Sequence, residues 1–464
     1  MNQETITQEH PEYRAAQPAL EKYRDLYTGG EEFKRNAASY LLRRQKEPGE
    51  VYQERLDRTF YENYIGSIVD WYAATLFRRE PRVALAGESA KGREFAAQFD
   101  DDCDRRGTNV SEFFRDQVTQ ALVYGASYTL IDFPRVKAVA RTRAEEDALG
   151  ASRAYLKSYS PLDLINWSTD ETGAFEWAVL RQSRLTKRNE SDPDWMTETT
   201  YTHYGRTDFQ VWRRFGNQGG VGGAVELVDE GRHGLAKQNR VPLFELRLPD
   251  GLWLMRKAAL LQLEHFNKSN ALAWALTMGL FAMPVVYSDR EFKQMIGESY
   301  YIQLGPDDKF GWTEPQGTVY QLAADNLSRL QREIYRICYL LSQAGGALSS
   351  GQSQSGLSKQ RDFQITQEVL RAMGGRVKDT MQAVLSAVFA SREDGLKANV
   401  SGLDEFDIGE FSGEVEDAER LLKLGISSET FRDEVHKKLA LKYLSDASGE
   451  VKNRIANEID GRAA

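Results

Sequence analysis

The chain has little of what usually announces a chemistry. Its 464 residues include only two cysteines, Cys103 and Cys338. They lie far apart with no CxxC partner, which excludes a disulfide framework and a clustered zinc site, so both read as buried free thiols. The five histidines, His10, His203, His233, His265 and His436, show no HxxxH or HxH spacing, and no metal is expected. No run reaches the roughly 18 to 20 apolar residues that span a bilayer. The start MNQETITQEHPEY lacks the basic and apolar regions of a leader, so no membrane partner is expected and the chain reads as cytosolic when made. Basic excess is missing too, because the net charge is −9. That excludes a protein that grips phosphate over its whole surface.

Catalytic signatures are equally scarce. There is no GxxxxGK[ST] phosphate loop. GGVGG at Gly219 to Gly223 lacks the GxGxxG spacing and leads into the strand-like VELVD, which makes it a hairpin turn. GQSQSG misses the GxSxG nucleophile elbow, which follows a strand, whereas this segment follows a helical pattern. No catalytic residue and no cofactor are expected.

What the chain does have is ample core material, with 21 Tyr, 21 Phe and 8 Trp, and a length that implies two or three subdomains. Residues from about Pro11 to Tyr124 read as helical. Tyr64, Ile68, Tyr72 and Leu76 form an apolar stripe, Pro81 stops that helix, and Ser111 is the expected N-cap of a later one. Beyond Gly125, SYTLIDF, AYLKSYS, FEWAVLRQSRL and TYTHYGRTDFQVWRRF read as antiparallel strands. From Gly251 a helix of about 28 residues carries the polar run QLEHFNKSN in its middle, more polarity than a plain core helix needs. A turn-rich excursion follows Pro284.

A second helix resumes near Val319. Leu327, Leu330, Ile334, Ile337 and Leu341 repeat at 3,4 spacing, while Asp325, Arg329, Arg332 and Arg336 form a polar stripe roughly 140° away. Then comes the uncharged run Ser342 to Ser358, in which 6 of 17 residues are Ser, 4 Gly and 3 Gln, a flexible-loop composition. Lys359 and Arg361 follow it. A third helix runs from about Phe363 to Ser391, with Gly374 and Gly375 marking an expected bend. Asp404 to Glu419 holds eight acids and no bases, a solvated acidic stretch.

In order and spacing, YENYIGSIVDWYAATLFRREP, YSPLDLINW, LLQLEHFNKSNALAWALTMGLFAMPVVY, GALSSGQSQSGLSKQRD and GEVEDAERLLKLGISSETFRDEV resemble the portal proteins of tailed bacteriophages, the head-to-tail connectors. The resemblance implies an α+β, mainly helical subunit. Its wing would span 1–250, helical first and then antiparallel β-rich. Residues 251–283 would form a first stem helix, 284–318 a clip, 319–341 a second stem helix, 342–360 a tunnel loop, 361–398 a bent wing helix and 399–464 a short set of crown-side C-terminal helices.

The same resemblance implies a ring, usually of twelve copies, at one capsid vertex of the virion, assembled in the host cytoplasm and passing double-stranded DNA during genome packaging and ejection. Expected partners are the large terminase subunit, a head-completion or adaptor protein, and the major capsid and scaffold proteins. The tunnel loop would offer Ser349, Ser350, Gln352, Ser353, Gln354 and Ser355, with Lys359 and Arg361 beside them. Arg329, Arg332 and Arg336 would line the channel or pair between subunits, the latter being favoured by the overall acidity. Asp307, Asp308, Lys309 and Trp312 would meet clip partners. A non-ring capsid adaptor or scaffold is the alternative, and an enzyme with a site assembled from scattered carboxylates is a third reading. Deletion of Gln352 to Ser355 is expected to leave ring assembly intact while impairing DNA retention or packaging, measured by sedimentation of the ring and by packaged DNA per particle.

Overall fold

The computed structural model describes residues 1–135, 145, 150, 153–187, 190, 194–217, 223–279, 283–287, 307, 309–313, 317–340, 356–404, 406, 418–424, 426–444 and 449–461. The order begins with α1 (Pro11–Thr28), α2 (Gly30–Arg35), α3 (Gly49–Asp57), α4 (Tyr64–Leu76), β1 (Arg82–Ala86), α5 (Ala90–Asp101) and α6 (Val110–Tyr124). Strands follow: β2 (Ala126–Asp132), β3 (Tyr155–Tyr159), β4 (Leu164–Thr169), β5 (Phe175–Thr186), β6 (Met196–Tyr204), β7 (Asp208–Asn217), β8 (Glu226–Arg232) and β9 (Leu243–Arg247). The chain then runs through α7 (Leu254–Gly279), β10 (Met283–Tyr287), β11 (Lys309–Thr313), α8 (Gly317–Ile337), α9 (Gly356–Arg392), β12 (Lys397–Ser401), α10 (Glu429–Tyr443) and α11 (Gly449–Asp460). The fold class is α+β.

Two compact units result. Met1–Glu21, Val69–Trp253 and Gly356–Ala464 make the first, and Lys22–Ile68 with Leu254–Ser355 the second. In the first, β4 to β8 form a five-stranded antiparallel meander in sequence order. Alternation along β5 sends Val179 and Leu180 to opposite faces, and each face has its own core. Leu180 packs with Ala178, Tyr204 and Leu164, while Val179 packs with Tyr201, Trp212, Ile6 and Tyr13. The second face is therefore covered by the N-terminal segment, which polar contacts hold in place. The Tyr13 hydroxyl donates to the Leu162 carbonyl at 3.1 Å, and Arg181 reaches Glu9 at 2.8 Å and Tyr13 at 2.6 Å.

The central strand β2, buried along its whole length, lies between β3 and β9. Before it, Gly125 ends α6 with φ +85°, and a Cβ there would come within 2.8 Å of the Trp253 ring. Only glycine satisfies both demands. The Trp253 indole in turn donates to the Val123 carbonyl at 2.9 Å, fixing the chain just ahead of α7.

Several sequence expectations shift. The helix with the Tyr64, Ile68, Tyr72 and Leu76 stripe ends at Leu76, and Pro81 instead precedes strand β1. β1 pairs antiparallel with β12, so a strand occupies positions across the 398/399 boundary where bent helix was to give way to C-terminal helices. The N-cap of α6 is Asn109 rather than Ser111. Asn109 is extended, and its Oδ1 accepts from the Glu112 amide at 2.7 Å, leaving Ser111 inside the first turn. Helix α9 starts at Gly356, so Gly356 to Ser358, read as loop, are helical. Gly374 has a packing reason, because a Cβ there would strike the Leu403 carbonyl, while at Gly375 nothing lies within 4 Å. The segment around GGVGG lies outside the described residues apart from Gly223, yet the strands flanking it, β7 and β8, pair antiparallel. Both cysteines are buried thiols outside any disulfide, and burial pushes both up, that of Cys338 to about 12.

His203 and His233 sit buried in the first unit, each with an Nδ1 that has no hydrogen-bond partner among the described residues. Burial holds both below the ordinary imidazole value of 6.5; at His203 the N-terminal ammonium adds to it, and at His233 a hydrogen bond to the Gly205 carbonyl opposes it. A depressed histidine stays neutral in the folded state while the unfolded chain takes up a proton, so stability is intact above pH 6.5 and declines as the pH falls below it. Thermal melts should show this loss as the pH falls below about 6.5, and the double variant His203→Gln, His233→Gln should reduce it, leaving the share of the likewise depressed His265.

Candidate nucleic-acid interface

The second unit contains a helical arm. The Lys257 ammonium near the start of α7 donates to the Tyr339 hydroxyl, just past the end of α8, at 2.6 Å. At the other end the Tyr320 hydroxyl donates to the Ala275 carbonyl at 3.3 Å. The helices are therefore antiparallel. Between them β10 and β11 pair antiparallel, Met283 opposite Thr313 and Tyr287 opposite Lys309, as a two-stranded ribbon.

Helix α7 is buried along one stripe: Leu254, Met255, Ala258, Ala259, Gln262, His265, Phe266, Ser269 and Asn270. Halfway along, that stripe turns from apolar to polar, and the reason is in what the amides hold. Gln262 donates from Nε2 to the Glu62 carbonyl at 2.7 Å and accepts from the Ile65 amide at 3.3 Å. Asn267 donates to the Tyr40 carbonyl at 3.0 Å and accepts from the Leu42 amide at 2.8 Å. Asn270 donates to the Phe60 carbonyl at 2.9 Å and accepts from the Phe60 amide at 3.1 Å. Each carboxamide thus satisfies a backbone donor and a backbone acceptor in chain that has no strand to pair with.

Around these bonds Phe33 stacks on Tyr61 at 4.1 Å and meets Phe266 edge-on at 5.0 Å. His265 lies edge-on to Tyr64, its Nδ1 3.5 Å from a Glu62 carboxylate oxygen, and burial holds it below its ordinary value against the pull of Glu62. Arg55 and Glu47, both buried, pair at 2.8 Å, and that hydrogen bond holds the Glu47 carboxyl below the usual range.

On α8, Leu330, Ile334 and Cys338 are buried and Leu327 and Ile337 half-buried, while Asp325, Arg329, Arg332 and Arg336 are all exposed. The polar stripe exists as a surface. Arg336 pairs with Glu333 at 2.8 Å, Arg329 donates to the Asn326 side chain at 3.0 Å, and Arg332 donates to the Ser328 carbonyl at 3.3 Å. Among the described residues neither Arg329 nor Arg332 has a carboxylate within ion-pair distance. The same arm exposes apolar side chains, Leu260 at 71%, Leu322 at 69%, Val319 and Leu276.

Of the expected clip residues, Asp307 and Lys309 are exposed, Trp312 stands opposite Pro284 in the ribbon, and Asp308 lies outside the described residues. Ser349, Ser350, Gln352, Ser353, Gln354 and Ser355 also lie outside them, and Lys359 and Arg361 fall in the first two turns of α9. The residues the sequence reading missed are the clamping amides. Their signal was the polarity of QLEHFNKSN at positions that continue the buried stripe.

A small cleft in this unit is lined by Leu41, Arg55, Arg58, Asn270, Ala273, Trp274 and Thr277. Its arginines are committed, Arg55 to Glu47 and Arg58 to Glu54 at 2.8 Å and to the Trp274 face. Among the described residues no group of three or more His, Cys, Asp or Glu could hold a metal ion, and no helix is long and apolar enough to cross a membrane.

No protein-family model matches the chain, and no curated protein matches it. Similar solved structures come from gene transfer agent particles. A chain from the neck of an empty particle, computed with C6 symmetry, has a TM-score of 0.47 and 13% identity, covering 81% of this chain and 90% of that one. A chain from the virion of the native particle has a TM-score of 0.46 and 14% identity, covering 87% and 98%. A chain from the native neck, computed with C12 symmetry, has a TM-score of 0.38 and 12% identity, covering 80% and 88%.

Replacing Asn270 with Ala removes the only partner of the Phe60 amide and carbonyl among the described residues. The expected loss is about 0.5–1.5 kcal/mol for each hydrogen bond removed, because Phe60 is exposed and water can reach the freed groups. Urea unfolding checks it, with Lys268→Ala, an exposed neighbour on the same helix, expected to change stability by less than about 0.5 kcal/mol.

Proposed function

We propose that the chain is a portal-type subunit, one of a ring of identical copies at a capsid vertex that passes duplex DNA and has no enzymatic activity of its own. The observation that carries this reading is the antiparallel α7–α8 arm, which ends in a β-ribbon and bears an exposed arginine stripe beside leucines and a valine that no described residue covers. Apolar side chains in that number on a narrow arm fit lateral packing against neighbouring copies. The stripe of Arg329, Arg332 and Arg336 then faces either the lumen or acids of the next subunit. The ribbon, with Asp307 and Lys309 exposed near its end, is the clip that terminase and later a head-completion protein engage.

A channel must let DNA slide. Every tight phosphate contact by Lys or Arg adds salt-dependent affinity that retards movement, so an acidic ring with an uncharged Ser, Gly and Gln segment at its constriction suits the task.

Native mass measurement and negative-stain imaging of the purified full chain test the reading. A closed ring with a central hole about as wide as duplex DNA is expected. A monomer or dimer at every concentration and salt tried sinks the proposal and favours the non-ring adaptor.

A further inference from the structure

The last two helices have no core. None of the described residues from 419 to 461 is buried. Helix α10 carries Phe431, Val435 and Leu439 at four-residue spacing and α11 carries Ile455 and Ile459, yet each of these is only half-buried. Around them Leu424 is 69% and Tyr443 71% exposed, and Leu421, Ile426 and Val451 are exposed as well. Helices of 15 and 12 residues are marginal in water and need an apolar face covered by packing. A seam left half open in one chain calls for a further element.

Charge indicates what that element is. The first half of α10 holds Glu429, Asp433 and Glu434 against Arg432, and the second half holds Lys437, Lys438 and Lys442 with no acid; Lys437 bridges the two halves to Glu434 at 3.5 Å, so the charge offered to another copy is carried by Glu429, Asp433, Lys438 and Lys442. A second copy of the same helix, displaced by about two turns, sets the acidic half of one against the basic half of the other while apolar seams meet.

We infer that the α10–α11 pair is completed by the same pair of a neighbouring copy, so that this C-terminal segment becomes firmly structured on assembly. The inference rests on the ring reading above and specifies one intersubunit contact within it. Self-recognition of this kind is heterologous around a ring, each copy giving one face and receiving another.

Hydrogen–deuterium exchange on the full chain, as assembled ring and as monomer obtained by dilution, tests it. Amides of 429–443 are expected to exchange slower in the ring by on the order of 100-fold. The double variant Leu424→Asp, Tyr443→Asp is expected to lose that slowing while the β5–β6–β7 amides keep theirs. Rings whose 429–443 amides exchange as fast as in the monomer overturn the inference and leave the ring reading standing. A monomer already protected over 429–443 also overturns it, because the pair then folds alone. If no assembled species forms at any concentration, the inference falls together with the ring reading.

Discussion

Three carboxamides on one helix carry the second unit. Gln262, Asn267 and Asn270 lie on the side of α7 that meets residues 40–42 and 60–65, and each pairs with backbone there, Gln262 reaching the first turn of α4 at Ile65. Each such bond is worth about 0.5–1.5 kcal/mol, so together these amides tie residues 40–42 and 60–65 to α7 although Leu42 and Phe60 are themselves exposed. The aromatic cluster of Phe33, Tyr61 and Phe266 supplies apolar burial around the bonds, but apolar packing sets no register along the helix. The amides do, since a shift by one residue would turn them away from their partners. The arm is thereby positioned from its base.

Much of this organisation was legible where one physical rule dominates. The 3,4 spacing of Leu330 and Ile334 and the separate stripe of Asp325, Arg329, Arg332 and Arg336 were readable because helical periodicity alone decides which side a residue takes. The strands after Gly125 were readable because β-branched and aromatic residues cluster there. Strand β1 and its partner β12 were not, because RVALA and KANVS are short and take their structure from pairing across some 315 positions. The polar run in α7 was seen as anomalous but not explained. Explaining it required knowing that peptide groups of residues 40, 42, 60 and 65, which the surrounding elements leave without backbone partners, lie against it.

Caps and glycines fell between these cases. Asn109 and Ser111 are both good N-cap types, and only the extended backbone at Asn109 chooses between them. Gly374 looked like a helix weakness, yet its role comes from the Leu403 carbonyl approaching from outside the helix. Candidate function was legible chiefly as surface chemistry: the arginine stripe could be placed from sequence, whereas the apolar exposure of Leu260 could not. Leu322, seven residues before Arg329, falls on the stripe's own side of α8, and Leu260 is revealed as surface only by the fold.

The clamp has a consequence for the order in which the chain takes shape. Its bonds join residues separated by 197 to 227 positions. At ribosomal speeds of about 5–20 residues per second, the stretch from Lys22 to Ile68 waits on the order of 10 to 40 seconds before its partners on α7 exist. During that interval Phe33, Tyr61 and Tyr40 lack Phe266 and the amides, while the intervening β-rich stretch is made. The second unit is therefore a late-closing one, and its earliest-made part is the part a chaperone has most time to hold.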